Sequence, residues 1–326
     1  MVLSFKDLQD RVMRVLDETA TNAPTSLTLV KDFLNQSHQQ RCTEFPWNFM
    51  LWPKVSTFST VIGQKTYALH EEFHRPLYFR NRTTTKYLAE IPFRAIVESA
   101  GDWNRTTSPA TSDQFMFLGH QGVSAQPAAA STVTIVSSSV SDTAVTVIIN
   151  GELATGLVVQ ETLTINGTTS VAGSTSFQNI IDVTKTGTWV GTLSVSLTTD
   201  AITVLSLPPA IQGKQYKTIF IPDPVSVAEV IEYRFYRQPK PLVNDYDIPL
   251  IPAPHSGILV YDTLIKLSAY LTDTGGQTLR IWQSEAQQAQ MSLYQTYANE
   301  SQTLGAGATF INDTSNDGEW FPRVTR

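Results

Sequence analysis

Residues 124–207 differ in composition from the chain on either side, and this break sets the domain plan. The stretch from Ser124 to Leu207 is mostly Ser, Thr, Val, Ile, Gly and Ala. It holds six charged side chains (Asp142, Glu152, Glu161, Asp182, Lys185 and Asp200) and no Arg. The flanks carry nearly all the Lys and Arg, the helical periodicities, and most of the Trp, Tyr and Pro. A shift this sharp predicts a domain inserted into a loop of another, which is tolerated where a loop projects into solvent with its ends close together. The expected plan is a host in two parts, 1–123 and 208–302, a guest over 124–207, and an extended C-terminal arm over 303–326.

The 326-residue length suits two domains that each bury a core. A net charge of −6 gives no global reason to seek nucleic acid or an anionic membrane. Cys42 is the only cysteine, which excludes an intrachain disulfide and fits folding in a reducing compartment. The start, MVLSFKDLQDRVMRVLDE, has acidic residues and no apolar core of a signal peptide. No run approaches the roughly 18 apolar residues of a membrane span. The expectation is a soluble protein made in the cytoplasm, with no membrane partner.

In the first flank, Ser4 and Asp7 have the spacing of a capping box. Phe5, Leu8, Val12, Val15 and Leu16 then share one face of a predicted helix over about 4–19. A second helix is predicted over about 27–43, with Val30, Phe33, Leu34 and Ser37 inward. The aromatic run from Trp47 to Trp52 reads as a core plug, with a partner-facing anchor as the alternative. Lys54–Thr60 and Lys65–Leu69 alternate as two strands of an expected hairpin around Ile62-Gly63-Gln64. Pro76–Phe79 and Thr85–Glu90 continue the β pattern, and a short helix is expected after Ile91-Pro92. In the second flank, Val230–Arg237 alternates as a half-buried strand. A proline-punctuated loop follows, then helices over about 255–273 and 277–301. The last has an uncharged, Gln-rich polar face.

Two constellations raise chemistry. His70-Glu71-Glu72-Phe73-His74 spells H-E-x-x-H, but zinc catalysis needs both histidines on one face of a helix. A β-patterned run precedes the motif and Arg75-Pro76 closes it, so the expectation is a strand-to-strand loop. Asp245 and Asp247 have the chemistry to hold a cation, yet two carboxylates in a turn are more often solvated. No catalytic residue, metal or cofactor is expected, and the chain is read as not an enzyme.

The ordered set of elements resembles the head-to-tail adaptor (connector) proteins of tailed bacteriophages. The features are two N-terminal helices ending in Phe45-Pro-Trp47-Asn-Phe49, then Gly63-Gln-Lys-Thr-Tyr67-Ala-Leu69. An apolar strand ending in Pro222-Asp-Pro224 and the strand Tyr233-Arg-Phe235-Tyr236-Arg-Gln-Pro239 come next. The loop Leu242–Pro252 then leads to two helices opened by His255. The resemblance spans roughly 1–122 and 208–300. Family members often have Pro after the Leu, where this chain has His70. The resemblance implies a structural virion protein in the neck between capsid and tail. It implies a ring of about twelve copies that binds the portal protein above and a tail or nozzle protein below. DNA would pass through without sequence-specific binding. The tail residues Trp320, Phe321, Arg323 and Arg326 are the candidate contacts with the portal or a neighbouring subunit.

The guest has six or seven β-rich segments separated by turn signals such as Asn150-Gly151, Asn166-Gly167 and Lys185-Thr-Gly187. This predicts an antiparallel β-sandwich. Asp142-Thr-Ala-Val-Thr-Val-Ile and Glu161-Thr-Leu-Thr-Ile-Asn-Gly167 resemble immunoglobulin-like modules inserted in phage structural proteins. Phe177 and Trp189 are assigned to its core, with a sugar site as the alternative. The fold class is thus α+β: a helical adaptor core with a small antiparallel β region, interrupted by an all-β immunoglobulin-like sandwich. The alternative function is an adhesin-like virion protein that binds the host cell surface through the sandwich.

Overall fold

A computed structural model describes residues 3–16, 24–62, 64–92, 113–199, 202–222, 227–270 and 276–303. The chain divides into two compact units, Met1–Trp52 with Tyr236–Arg326, and Pro53–Phe235. The architecture mixes four described helices with several mainly antiparallel sheets.

The first unit is helical. Helix α1, Phe5–Val15, opens on the expected capping box. The Ser4 amide donates to Asp7 Oδ2 at 2.8 Å and the Asp7 amide to Ser4 Oγ at 3.2 Å, so two otherwise orphaned donors are satisfied reciprocally. Helix α2, Pro24–Glu44, buries Val30, Leu34, Ser37, His38 and Cys42 on one stripe. Helix α3 is Gly257–Leu267 and helix α4 is Gly276–Thr303. Their apolar faces meet Phe5, Leu8 and Val12 of α1 in one core.

Trp47 lies fully buried in that core, so the aromatic run is the plug that its composition suggested. Its indole N–H donates to the Arg41 carbonyl at 2.7 Å, which satisfies the ring's polar atom inside the core. Its ring stacks on Phe49 at 5.7 Å and leans on Tyr294 at 4.9 Å. Val15, expected on the apolar face of the first helix, is exposed instead, as are two apolar-patterned residues of the last helices, Tyr270 after α3 and Met291 of α4.

The second unit is β. One sheet has the order β1 (Ser56–Ser59), β14 (Val230–Arg237), β3 (Phe73–Asn81). Another runs β2 (Thr66–Ala68), β13 (Tyr216–Phe220), β5 (Gln114–Gln121), β4 (Ala89–Glu90). The expected alternation of β14 holds, with Ile231, Tyr233 and Phe235 buried. The expected 54–69 hairpin does not form. Its two strands exist, but β1 pairs with β14 and β2 with β13, each from the other flank. The loop between them closes instead on the Tyr67 hydroxyl, which donates to the Gln64 carbonyl at 2.7 Å and accepts from the Val61 amide at 3.1 Å. Phe58 stacks on Tyr67 at 5.0 Å, so side-chain packing across the two sheets replaces a backbone ladder. The short helix expected after Pro92 falls outside the described residues.

Seven strands come from the charge-poor segment: β6 (Val133–Ser137), β7 (Thr143–Glu152), β8 (Val158–Asn166), β9 (Val171–Ala172), β10 (Asn179–Lys185), β11 (Leu193–Leu197) and β12 (Thr203–Leu207). They form two sheets, β10-β7-β8 and β12-β11-β6-β9. Inward residues of both, among them Ile135, Ile149, Ile165, Ile180 and Val195, build one core with Phe177 and Trp189. The strand order is not that of a constant-type immunoglobulin domain. There the second and third strands lie in different sheets; here β7 and β8 are hydrogen-bonded neighbours.

Backbone hydrogen bonds join this segment to the neighbouring sheets. The Gly122 amide donates to the Ile181 carbonyl at 2.7 Å, and the Lys185 amide to the Gln212 carbonyl at 2.8 Å. The outer edge of β10 is therefore covered by the two connecting strands. Val123 and Tyr216, from those connections, are buried in the same core. The segment is a fixed extension of the β unit.

Candidate functional site

Surfaces that present side chains without committing them to the core are the candidates for function, and the helical unit has two. The first is on α4. Trp282, Ala286 and Leu293 bury its inner face, and Gln290 and Tyr294 reach Glu44 Oε1 at 2.9 and 3.2 Å. At 100° per residue, the opposite face carries Gln277, Ile281, Ser284, Gln288, Met291 and Gln295. Their spacing alternates four and three, the period of a helix-packing seam. All six are exposed, Ile281 and Met291 at 60% each, and none is charged. Arg280 and Glu285 sit to the sides of the stripe.

The second surface is the loop from Leu242 to Leu250, held rigid by polar contacts. Its carbonyls at Asp247 and Asp245 accept from the first amides of α1, Phe5 at 2.7 Å and Lys6 at 2.9 Å. Asn35 of α2 binds Leu242 twice, donating to its carbonyl at 2.8 Å and accepting from its amide at 2.6 Å. The Leu250 amide donates to His38 Nε2 at 3.1 Å. Asp247 accepts from the amides of Val243 and Asn244 at 2.7 and 2.8 Å. These backbone donors, Asn244 first, hold its carboxyl below the usual range. So fixed, the loop presents Val243, Ile248 and Tyr246, the last 77% exposed.

Asp245 and Asp247 therefore staple a loop: Asp247 as above, Asp245 facing Lys31 at 3.6 Å. Behind them lies a cleft of about 230 Å³ lined by His38, Leu242, Ile248 and Leu250 among others. His38 is buried with its Nδ1 lacking a hydrogen bond, and desolvation lowers its pKa to about 4, so it is neutral.

The H-E-x-x-H stretch forms no helix. His70 precedes a turn at Glu71-Glu72, and His74 lies in β3. The Glu72 amide donates to His70 Nδ1 at 3.1 Å, and Glu71 is ion-paired with Lys214 at 2.5 Å. His74 is pushed below its ordinary value by burial, then by Lys217 and Arg75. Among the described residues no group of three or more His, Cys, Asp or Glu is placed to hold a metal.

In the charge-poor segment the few charges are turned to structural work. Asp142 is buried and accepts from the Ser137 hydroxyl and from the amides of Val190 (2.8 Å) and Gly191 (2.9 Å). Burial pushes its carboxyl up, but these donors and the charge of Lys185 outweigh it and hold it low. Lys185 is buried too, donating to the Pro208 carbonyl beneath the Trp189 ring, 5.1 Å from its centre. Glu161 is turned in and accepts from the Ser174 and Thr175 amides at 2.6 and 3.2 Å. Phe177 and Trp189 are buried, which leaves no aromatic platform there for a sugar.

Trp320, Phe321, Arg323 and Arg326 lie outside the described residues. The uncharged, Gln-rich face of α4 is legible in the sequence; what the structure adds is that Ile281 and Met291 lie on it, in a four-three spacing with the polar residues. Among the described residues no helix is long and apolar enough to cross a membrane.

The described residues thus present two uncommitted surfaces in the helical unit and no group of three or more potential metal ligands. Residues 3–157 match the family described as SU10 adaptor protein, a phage head-to-tail adaptor family. The chain is thus similar to structural adaptors of phage virions, whose role is non-enzymatic. The match covers α1, α2, the aromatic plug and β1–β7. No curated protein matches the chain.

Proposed function

We propose that this chain is a head-to-tail adaptor that forms a ring beneath the portal, joins capsid to tail, and lines part of the DNA conduit. The observation that carries the reading is the family match over residues 3–157. Neighbouring copies meet through the α4 stripe, whose heptad-like spacing and lack of charge suit helix packing between identical subunits. The C-terminal arm, with Trp320, Phe321, Arg323 and Arg326, contacts the portal or the neighbouring subunit. The net charge of −6 suits a channel through which DNA slides without sticking. The 124–207 segment serves as an immunoglobulin-like sandwich, in the broad sense of two antiparallel sheets around one core, displayed on the ring.

The test is electron microscopy of the chain alone and mixed with portal protein. Rings of about twelve copies seated on portals are expected, and Ile281→Lys with Met291→Lys should abolish them while leaving the circular dichroism unchanged. Portals that stay bare under all mixing conditions would overturn the reading. Deleting 124–207 separates the adaptor from a cell-surface adhesin: an adaptor still assembles on portals, whereas an adhesin loses cell binding and owes nothing to portals.

A further inference from the structure

Each sheet of the β unit has two edges, and among the described residues all but one are short, covered or interrupted. Strands β1, β2, β4 and β9 have four, three, two and two residues. The edge of β3 accepts at Phe79 from the Leu88 amide and carries Pro76. The edge of β10 is covered at Ile181 and Lys185 by the connecting strands, and β12 binds Ser124 at the Val204 carbonyl.

Strand β8 is the exception. It spans nine residues, and among the described residues β7 is its only ladder partner. The ladder runs without a bulge from Thr146↔Thr164 to Glu152↔Val158. Natural edges are protected by outward charge, Pro, bulges, brevity or an inward-pointing charge, and of these β8 has only the last. Its one charged residue, Glu161, is turned inward to Ser174 and Thr175. Its exposed side chains are Val158, Gln160, Thr162, Thr164 and Asn166, all uncharged.

We propose that β8 pairs antiparallel with β8 of a second copy of this chain, about a two-fold axis, and joins two three-stranded sheets into one of six strands. An open row of backbone donors and acceptors is met by an extended strand. Because β8 is the one long open edge, the self-complementary partner is β8 itself, an isologous contact. Without outward charges, the strand faces its copy free of like-charge repulsion. An axis through Thr162 sets Gln160 opposite Thr164 and keeps Glu161 away from its own copy. It also lengthens an existing side-chain ladder, in which Asn150 donates to Asp182 at 2.8 Å and Gln160 to Asn150 at 3.0 Å. The proposal does not rest on the ring, whose contacts are assigned to α4.

The experiment is sedimentation equilibrium of the full chain. The parent chain should associate reversibly to a dimer. Thr162→Lys and Thr162→Glu should each weaken dimerisation by at least about tenfold, since like charges then face one another across the axis. A one-to-one mixture of the two variants should restore it. Ser206→Lys, on the outward face of β12, should leave it unchanged. Circular dichroism confirms folding, and Thr164→Lys serves where Thr162→Lys does not fold. A parent chain that stays monomeric, or Thr162 variants that dimerise as tightly as the parent, would overturn the proposal.

Discussion

The charge-poor β segment and the helical unit both bury polar side chains, but they differ in charge. Beside the hydroxyls of Ser131 and Ser137, the β segment buries Asp142, Glu161 and Lys185, all ionisable. The helical unit buries Gln9, Ser37, His38, Ser256 and Thr263, none carrying charge when folded at neutral pH. The difference follows from where the donors are. In the β segment, tight turns offer free backbone amides, and a carboxylate is the side chain that gathers several of them. In the helical unit the amides are already spent within helices, so small hydroxyls and one neutral imidazole suffice. What this teaches is that low surface charge over 124–207 is partly a matter of direction: half of its six charges point inward.

The comparison is broken most sharply at Asp142. Asp142→Ala leaves the Val190 and Gly191 amides and the Ser137 hydroxyl without their acceptor, and Lys185 without its neighbouring charge. The expected loss is about 4 kcal/mol for the β unit, read by urea unfolding, while hydrogen exchange in α2 stays unchanged. A loss shared by both units would mean that they unfold as one.

Acid gives the next largest effect, and it acts on the helical unit before it acts on the charge-poor segment, which has no histidine. His38 is neutral in the fold, with its pKa lowered to about 4 from 6.5 by burial. The unfolded chain binds the extra proton between those values, so stability is full above pH 6.5 and declines as pH falls toward 4. The total loss is about 3 kcal/mol. His38→Gln keeps an acceptor for the Leu250 amide and should flatten this dependence. Asp142, held low, loses its contribution only as pH falls below the ordinary carboxylate range. Hydrogen exchange followed from pH 7 to 4.5 should therefore rise in α2 and α3 before it rises in β7.

Much of this division is legible in the sequence, for physical reasons that differ between the units. The β segment is contiguous, so alternation and turn residues such as Asn166-Gly167 report its strands directly. Its pairing is less legible: nothing local says that β7 lies between β8 and β10. The same gap explains the 54–69 hairpin. Both strands were readable, but their partners β14 and β13 lie more than a hundred residues away, and the Tyr67 hydroxyl bonds that close the loop leave no pattern. In the helical unit, Ser4 and Asp7 announce the capping box because its geometry is local. The pinned loop at Tyr246 is silent, since its anchors Asn35 and His38 are on α2. The candidate surface on α4 was legible in part: its uncharged, Gln-rich face could be read, but that Ile281 and Met291 lie on it shows only once the helix has a known inner face.

Gly122 tests how firmly the β segment is fixed. A Cβ there would meet Asp182 Cα at 2.5 Å, so the strand connection must shift to admit it. Gly122→Ala is expected to cost about 2 kcal/mol and to raise exchange at the Gly213 end of the β10 edge, read by mass spectrometry. No change at either site would make the connection a flexible tether instead.

The smallest effect belongs to the cap of α1, and it sharpens the comparison by touching only the helical unit. Ser4→Ala removes the acceptor of the Asp7 amide, while the Phe5 and Lys6 amides keep their bonds to the Asp247 and Asp245 carbonyls. The expected loss is therefore about 1 kcal/mol, with exchange rising in the first turn of α1 and not in the loop. If the loop amides of Val243 and Asn244 also become exchangeable, the cap and the loop are one cooperative element, and the surface carrying Tyr246 depends on a serine more than two hundred residues away.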